Sequence, residues 1–438
     1  MRGVIIESTL FKDRGNSVIR YRNSSFYGWF VLAGAILVFF TSIGTFFFSY
    51  GVFLPVISDD LNLSRAAVGA GLSLGLLTFG LPSPLIGASI AKFGPRKNII
   101  FGNSLAALGM FGMSQCSGLW HLYFFFGVLV GLGAGFGLFL AATTLVNNWF
   151  IARRSLSMGL LFMAGGLAGL IFPPLASWLI DSVGWQSTWL VFGSINLIFA
   201  VLIGGLVLIR NAPEDLGQVP YGETVEPISS SQAQELAIEN NKAISKEWHI
   251  KQVIREPALW LIVLIGATNF YAFGTMIAHQ IAYLRDIGFS VIVAALVFSL
   301  LSGMGIIGRF GFGVLALRIN LRKLVIASFV MQVSALVLLL ITKNPGLIYL
   351  YAVLFGISSG AIAVSLPTIV GEYFGRTRYP QIMGFVFPIV ILAESMGPFI
   401  AGVIYDTTAT YTLAFGLMTI VSLLGLICAV FLRPPKQL

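Results

Sequence analysis

The sequence predicts an all-α polytopic membrane protein: twelve transmembrane helices in two pseudo-symmetric six-helix bundles. Three observations predict it. Of 438 residues, 57% are hydrophobic and 10% are charged, and the mean hydropathy is +0.91; a soluble domain carries roughly 25% charge. Apolar runs near the ~20 residues that a helical span needs recur along the chain. The two halves also repeat. At a shift of 226, Asp60-Leu-Asn-Leu-Ser64 meets Asp286-Ile-Gly-Phe-Ser290, Gly87 meets Gly313, Lys92 meets Arg318 and Arg96-Lys97 meets Arg322-Lys323. At 224, Thr144-Leu-Val146 meets Thr368-Ile-Val370; at 225, Met158-Gly159 meets Met383-Gly384 and Pro173 meets Pro398. Parallel repeats of this kind place a binding site between the halves, near the midplane.

In chain order, residues 1–26 form a polar, basic tail without the apolar core of a signal peptide. The spans read as 28–54, 66–91, 99–117, 119–147, 156–180, 187–209, 258–283, 291–316, 323–342, 347–373, 381–405 and 411–432. Residues 27–210 are then an N-terminal bundle and 258–432 a C-terminal one, with a short tail at 433–438. Residues 211–257 hold eight of the 17 acidic residues and read as a flexible linker, Ser229–Ser230–Ser231 included. Of the 26 Lys and Arg, 22 fall on the linker side, three (Arg65, Arg285, Lys343) on the other, and Arg309 within the membrane. The positive-inside rule makes both termini and the linker cytoplasmic, as in a plasma or inner membrane protein.

Arg309 is the full charge inside the glycine-rich eighth span, Ser302–Leu317. A guanidinium stays protonated and costs about 2.5–3.5 kcal/mol at a span centre on insertion scales. It therefore points to a wet cavity, a buried partner or an anionic ligand. Residues 302, 305, 309, 313 and 316 share one helical face, which reads Ser, Gly, Arg, Gly, Ala and leaves room beside the guanidinium. Glu394 sits inside the eleventh span, about 18 Å from its outer end by helix rise. It is read as an ion-pair partner for Arg309, as a proton-titrating coupling group, or as a glutamate without a role. Asn269 and Tyr271 are candidate cavity-lining groups of the seventh span. Thr45, with Thr41, Ser42 and Ser49, is the polar set of the first, and a bond to the helix's own backbone is the first expectation for each hydroxyl. His279 reads as a wall or gate residue, and Asn147 and Asn148 as groups at the inner mouth or helix caps.

Other signals carry less. Cys116 and Cys428 lie in separate apolar segments, and His121, His249 and His279 are scattered, so no disulfide, metal site or cofactor is expected. The net charge of +9 is spread over loops rather than clustered as a nucleic-acid footprint. The run Gly131-Leu-Gly-Ala-Gly-Phe-Gly137 has no preceding strand and no following lysine, so it reads as close helix packing, with Gly356 and Gly360 as counterparts. Pro173-Pro174, Pro388 and Pro398 are candidate kinks.

The segment Gly87-Ala-Ser-Ile-Ala-Lys-Phe-Gly-Pro-Arg-Lys97 is similar to the loop signature of the major facilitator superfamily, and the resemblance runs over nearly the whole chain. It implies gating roles for Gly87, Gly94, Arg96, Lys97, Arg318 and Arg322. Ala91 and Leu317 stand where that signature carries an aspartate, so both copies lack the usual latching acid. Tyr27-Gly28-Trp29, Ser64-Arg-Ala-Ala-Val68, Pro213-Glu-Asp-Leu-Gly217 with Pro220, and Gly308-Arg309 resemble the monocarboxylate and oxalate:formate branch. That resemblance implies a carrier of small organic anions with Arg309 as anion contact. The lysine and aspartate of the animal carriers' proton relay are replaced here by Phe48 and Gly305.

The expectation is a secondary active transporter of a monocarboxylate or small dicarboxylate, working by alternating access as a monomer and coupled to a proton or a counter-anion. Nothing in the sequence supplies an ATPase loop or a catalytic cluster, and the linker is too short and polar for a receptor's output domain. A drug or amphipathic-cation exporter is the alternative; Glu394 permits it and Arg309 opposes it.

Overall fold

The computed structural model describes residues 26–222 and 250–435, together with the backbone of four three-residue strands before them. The strands pair antiparallel, β1 Gly3–Ile5 with β4 Arg22–Ser24 and β2 Phe11–Asp13 with β3 Asn16–Val18. Most of the expected flexible linker, Ser229–Ser231 included, lies outside the described residues.

Among the described residues, twelve long helical segments follow the predicted order. In the N-terminal half they are α1 Gly28–Asp60, α2 (two arms, Arg65–Gly80 and Ser83–Phe93), α3 Pro95–Met113, α4 Leu119–Trp149, α5 Arg154–Val183 and α6 Trp185–Leu208. In the C-terminal half they are α7 Pro257–Asp286, α8 Val291–Leu315, α9 Leu321–Ile341, α10 Pro345–Phe374, α11 Tyr379–Thr408 and α12 Thr412–Phe431. Among the described residues, ten are individually long and apolar enough to cross a membrane, and α2 counted as one bent span makes eleven. The remaining one, α3, holds Arg96, Lys97, Asn98 and Asn103, and these polar residues dilute its hydropathy.

The repeat recurs in local chemistry. Ser64 caps α2 by accepting from the Ala67 amide (3.1 Å), and its repeat mate Ser290 caps α8 by accepting from the Val293 amide (3.3 Å). Such caps satisfy amides that the first helical turn leaves free. Prolines lie within helices that stay continuous, Pro173 and Pro174 in α5 and Pro388 and Pro398 in α11. A bend of 45° falls in α2, where the two arms meet at Leu81–Pro82. Pro82 and Pro84 there remove two backbone donors in one turn.

Within the N-terminal bundle a buried polar set joins three helices. The Ser42 hydroxyl of α1 donates to Asn103 Oδ1 of α3 (2.6 Å), and Asn196 of α6 donates to the Asn103 carbonyl (3.1 Å). Side-chain hydrogen bonds hold helices together where lipid supplies no hydrophobic drive. The Gly131–Gly137 run packs as expected: a Cβ at Gly133 would lie 2.6 Å from the Gly102 carbonyl of α3.

Candidate functional site

The two bundles meet tightly at the end that carries the α6–α7 linker. α2 crosses α11 there, and α5 crosses α8. The crossings are repeat mates. At the first, a Cβ on Gly87 would lie 3.3 Å from the Gly384 Cα; at the second, a Cβ on Gly313 would lie 3.2 Å from the Gly159 Cα. The stretch after α6 adds a strap across the same end. The Tyr221 amide donates to the Trp149 carbonyl (2.8 Å), and the Ile151 and Ala152 amides donate to the Tyr221 carbonyl. Glu214 in this strap forms an ion pair with Arg376 of the C-terminal half.

Above this seal, at the centre of the interface, lies a cavity of about 140 Å³. Its polar groups are Arg309 of α8, Glu394 of α11, Asn269 of α7 and Ser359 of α10. A larger cavity of about 520 Å³ continues between α5 and α8, lined by Gly166, Gly169, Ser302 and Gly305, and shares Phe47, Phe48, Phe273, Arg309 and Ser359 with the first. The end of α1 beyond it, Tyr50–Asp60, packs on α2 and α5 of its own bundle. The geometry is closed at the linker end.

Arg309 reaches the cavity because α5 presents Gly166 opposite it: a Cβ there would fall 2.6 Å from Arg309 Nη1. Among the described residues its guanidinium has no hydrogen bond and no ion pair, and Nε is buried without a partner. Glu394 lines the same cavity unpaired. An Arg309–Glu394 ion pair is therefore absent in this conformation, and both side chains stay available to a ligand. Gly274 of α7 lets α11 pass at this point, since a Cβ there would sit 3.2 Å from Glu394 Cγ. The Asn269 amide oxygen is buried and unpartnered.

Thr45 and Tyr271 lie elsewhere. The Thr45 hydroxyl donates to the Thr41 carbonyl (2.9 Å) and is fully buried, so the bond to its own helix describes it. Tyr271 is packed in the apolar core of the C-terminal bundle and lines neither cavity. Helical rotation explains the difference, because Phe270 and Phe273 take the cavity face and Tyr271 is turned about 100° from Phe270. His279 is held in the wall between the Tyr411 hydroxyl (3.1 Å) and the Pro398 carbonyl (3.0 Å). Ser359 escaped sequence reasoning; its one signal is the small-residue stretch Gly356-Ile-Ser-Ser-Gly360.

α1 reaches the cavity through a π-helical turn, Gly44–Phe48, which places Phe46, Phe47 and Phe48 all on its lining. Three successive residues of a regular α-helix spread over about 200° and would not share one wall.

A family profile described as Major Facilitator Superfamily matches residues 32–331 and 286–438. The chain belongs to the Major Facilitator Superfamily. It is an integral membrane transporter and not an enzyme. Monocarboxylate transporter 13 of Rattus norvegicus is 26% identical over 395 residues, covering 89% of this chain and 85% of that protein. Among solved structures, the human organic anion transporter MFSD10 (TETRAN) superposes with a TM-score of 0.68 at 16% identity, covering 92% of this chain and 99% of that one. The transporter FucP in the outward conformation gives 0.69 at 14% identity, covering 93% and 100%. These last two likenesses speak for the fold.

Within this superfamily fold, Arg96 and Arg322 each bond inside their own bundle. Arg96 Nε donates to the Gly205 carbonyl (3.0 Å) and Nη2 to the Leu206 carbonyl (2.7 Å), clamping the start of α3 to the end of α6. Its repeat mate Arg322 donates to the Val430 carbonyl and clamps α9 to α12 in the same way. Gly94, at φ +84°, turns the chain between α2 and α3 beside Asn211. Lys97 and Arg318 are exposed.

Proposed function

We propose that this transporter carries carboxylate anions by alternating access, with Arg309 as the anion contact and Glu394 as the coupling group. The observation that carries the reading is the unpaired Arg309 guanidinium in a cavity between the bundles. A fixed cation in a low-dielectric site attracts a carboxylate far more strongly than water allows, and its fork can hold both oxygens. Asn269 and Ser359 supply further hydrogen-bonding groups. Glu394 gives the coupling. A carboxylate bound at Arg309 and a deprotonated Glu394 would be two anions in one cavity, so substrate binding and Glu394 protonation favour one another. The monocarboxylate transporter relatives support the substrate class. The amphipathic-cation exporter fits less well, because a cation would meet Arg309.

Arg309→Ala in proteoliposomes tests the reading: carboxylate uptake under an imposed pH gradient is lost at unchanged elution volume. Uptake at the wild-type rate by that variant would return the exporter to first place. The charge asymmetry further supports a cytoplasmic linker end in a plasma membrane protein; a cysteine at exposed Lys97 then reacts with impermeant reagent only after permeabilisation, and reaction in intact cells would invert the topology.

A further inference from the structure

Ten of the twenty residues lining the central cavity are phenylalanine. Several form a chain of ring contacts along it. Phe39 meets Phe162 (5.5 Å between centroids), Phe162 meets Phe139 (5.5 Å), and Phe139 stacks on Phe387 (4.3 Å, 22° between planes). Phe387 meets Phe79 edge-on (5.4 Å), and Phe79 meets Phe46 (5.8 Å). The chain crosses the interface, since Phe387 comes from the C-terminal bundle and the others from the N-terminal one. Arg309 is the one base among the cavity's lining residues, and Glu394 the one acid.

This composition selects within the carboxylates. A formate or lactate ion at Arg309 would leave the ring surface against water or void. An oxalate ion would turn its second carboxylate toward phenylalanine or Glu394 with no second base to meet it, and an unpaired buried charge is strongly unfavourable. An arylalkyl monocarboxylate matches both parts, with its carboxylate on the guanidinium and its ring among the phenylalanines in offset or edge-on contact. The size suits the ring: an apolar cavity of about 150 Å³ lined by Leu, Ile and Phe holds benzene, this one measures about 140 Å³, and the adjoining cavity of about 520 Å³ shares Arg309 with it.

We propose that the transported carboxylate is an arylalkyl monocarboxylate with a single ring, of the phenylacetate kind, with that ring seated against Phe139, Phe162 and Phe387. This rests on the carboxylate reading above. The probe is uptake of labelled phenylacetate, lactate, formate and oxalate, with phenethylamine as a cationic ring control, by the purified full chain in proteoliposomes.

The expected result is a kcat/KM for phenylacetate at least about tenfold above that for lactate, a ratio of roughly 1.4 kcal/mol, abolished by Arg309→Ala. Phe139→Ala raises the phenylacetate KM and narrows the ratio, and Phe139→Leu, which keeps an apolar filling, narrows it less. Preference for lactate, formate or oxalate with retained Arg309 dependence overturns the aryl assignment and leaves the carboxylate reading intact. Uptake of phenethylamine without any carboxylate overturns both. The wild-type comparison decides the matter even if the Phe139 variants fold poorly.

Discussion

Gly87 of α2 and Gly384 of α11 face each other across the bundle interface so closely that a Cβ on either would lie 3.3 Å from the other's Cα. The same Cβ on Gly87 would also overlap the Pro380 carbonyl. Repeat mates Gly313 and Gly159 make the second crossing with the same geometry. Both crossings sit at the linker end, so they must part when that end opens. Gly87→Val should therefore destabilise the closed linker end by about 1–3 kcal/mol, the usual cost of overpacking. A cysteine at Ser155, which is buried beside the second crossing, should become more reactive in the Gly87→Val background. Unchanged labelling would show that the crossing does not hold the seal.

The Glu214–Arg376 pair spans the same end but should matter less. Both side chains are substantially exposed, and exposed ion pairs typically contribute about 0–1 kcal/mol. Arg376→Ala should thus raise Ser155→Cys labelling less than Gly87→Val does, and its own effect should shrink further in high salt. An effect of Arg376→Ala larger than that of Gly87→Val would make the strap the principal latch.

Gly166 and Arg309 form a second close pair. A Cβ at Gly166 would fall 2.6 Å from Nη1 and 2.5 Å from Ile306 Cγ1. The end of a long side chain can move, so Gly166→Ala should fold but push the guanidinium off its position. We expect KM for the carboxylate to rise about tenfold, a 1.4 kcal/mol loss, with expression unchanged. Arg309→Lys should also bind more weakly, because the ammonium keeps the charge and loses the fork. Transport kinetics in proteoliposomes separate the two, and a wild-type KM in Gly166→Ala would place the guanidinium elsewhere during binding.

Glu394→Gln keeps the shape and removes the titratable proton. It should abolish pH-driven accumulation while sparing exchange of substrate for substrate, because the neutral amide mimics the protonated state. The wild type should accumulate carboxylate faster as outside pH falls, and the variant's exchange should be flat across the same range. Persisting pH-driven accumulation in Glu394→Gln would move the coupling to another group.

What the sequence determined by itself was everything written in near-neighbour patterns. Apolar run length set the helices, the 224–226 shift set the two bundles, and the distribution of basic residues set the predicted orientation. Arg309 was legible for the same reason: one permanent charge in an apolar run requires a purpose wherever the chain folds. The tertiary structure decided what depends on rotation and proximity. It turned Tyr271 into the core while Phe270 and Phe273 faced the cavity, because adjacent helical residues diverge by about 100°. It bent α2 at Pro82, brought three successive phenylalanines to one wall through a π-turn, and kept Glu394 and Arg309 in one cavity without pairing them. It also gathered ten phenylalanines from six spans into one lining. In a chain with 37 phenylalanines, no local pattern separates those that face lipid from those that face a ligand; only the packing of helices against each other does.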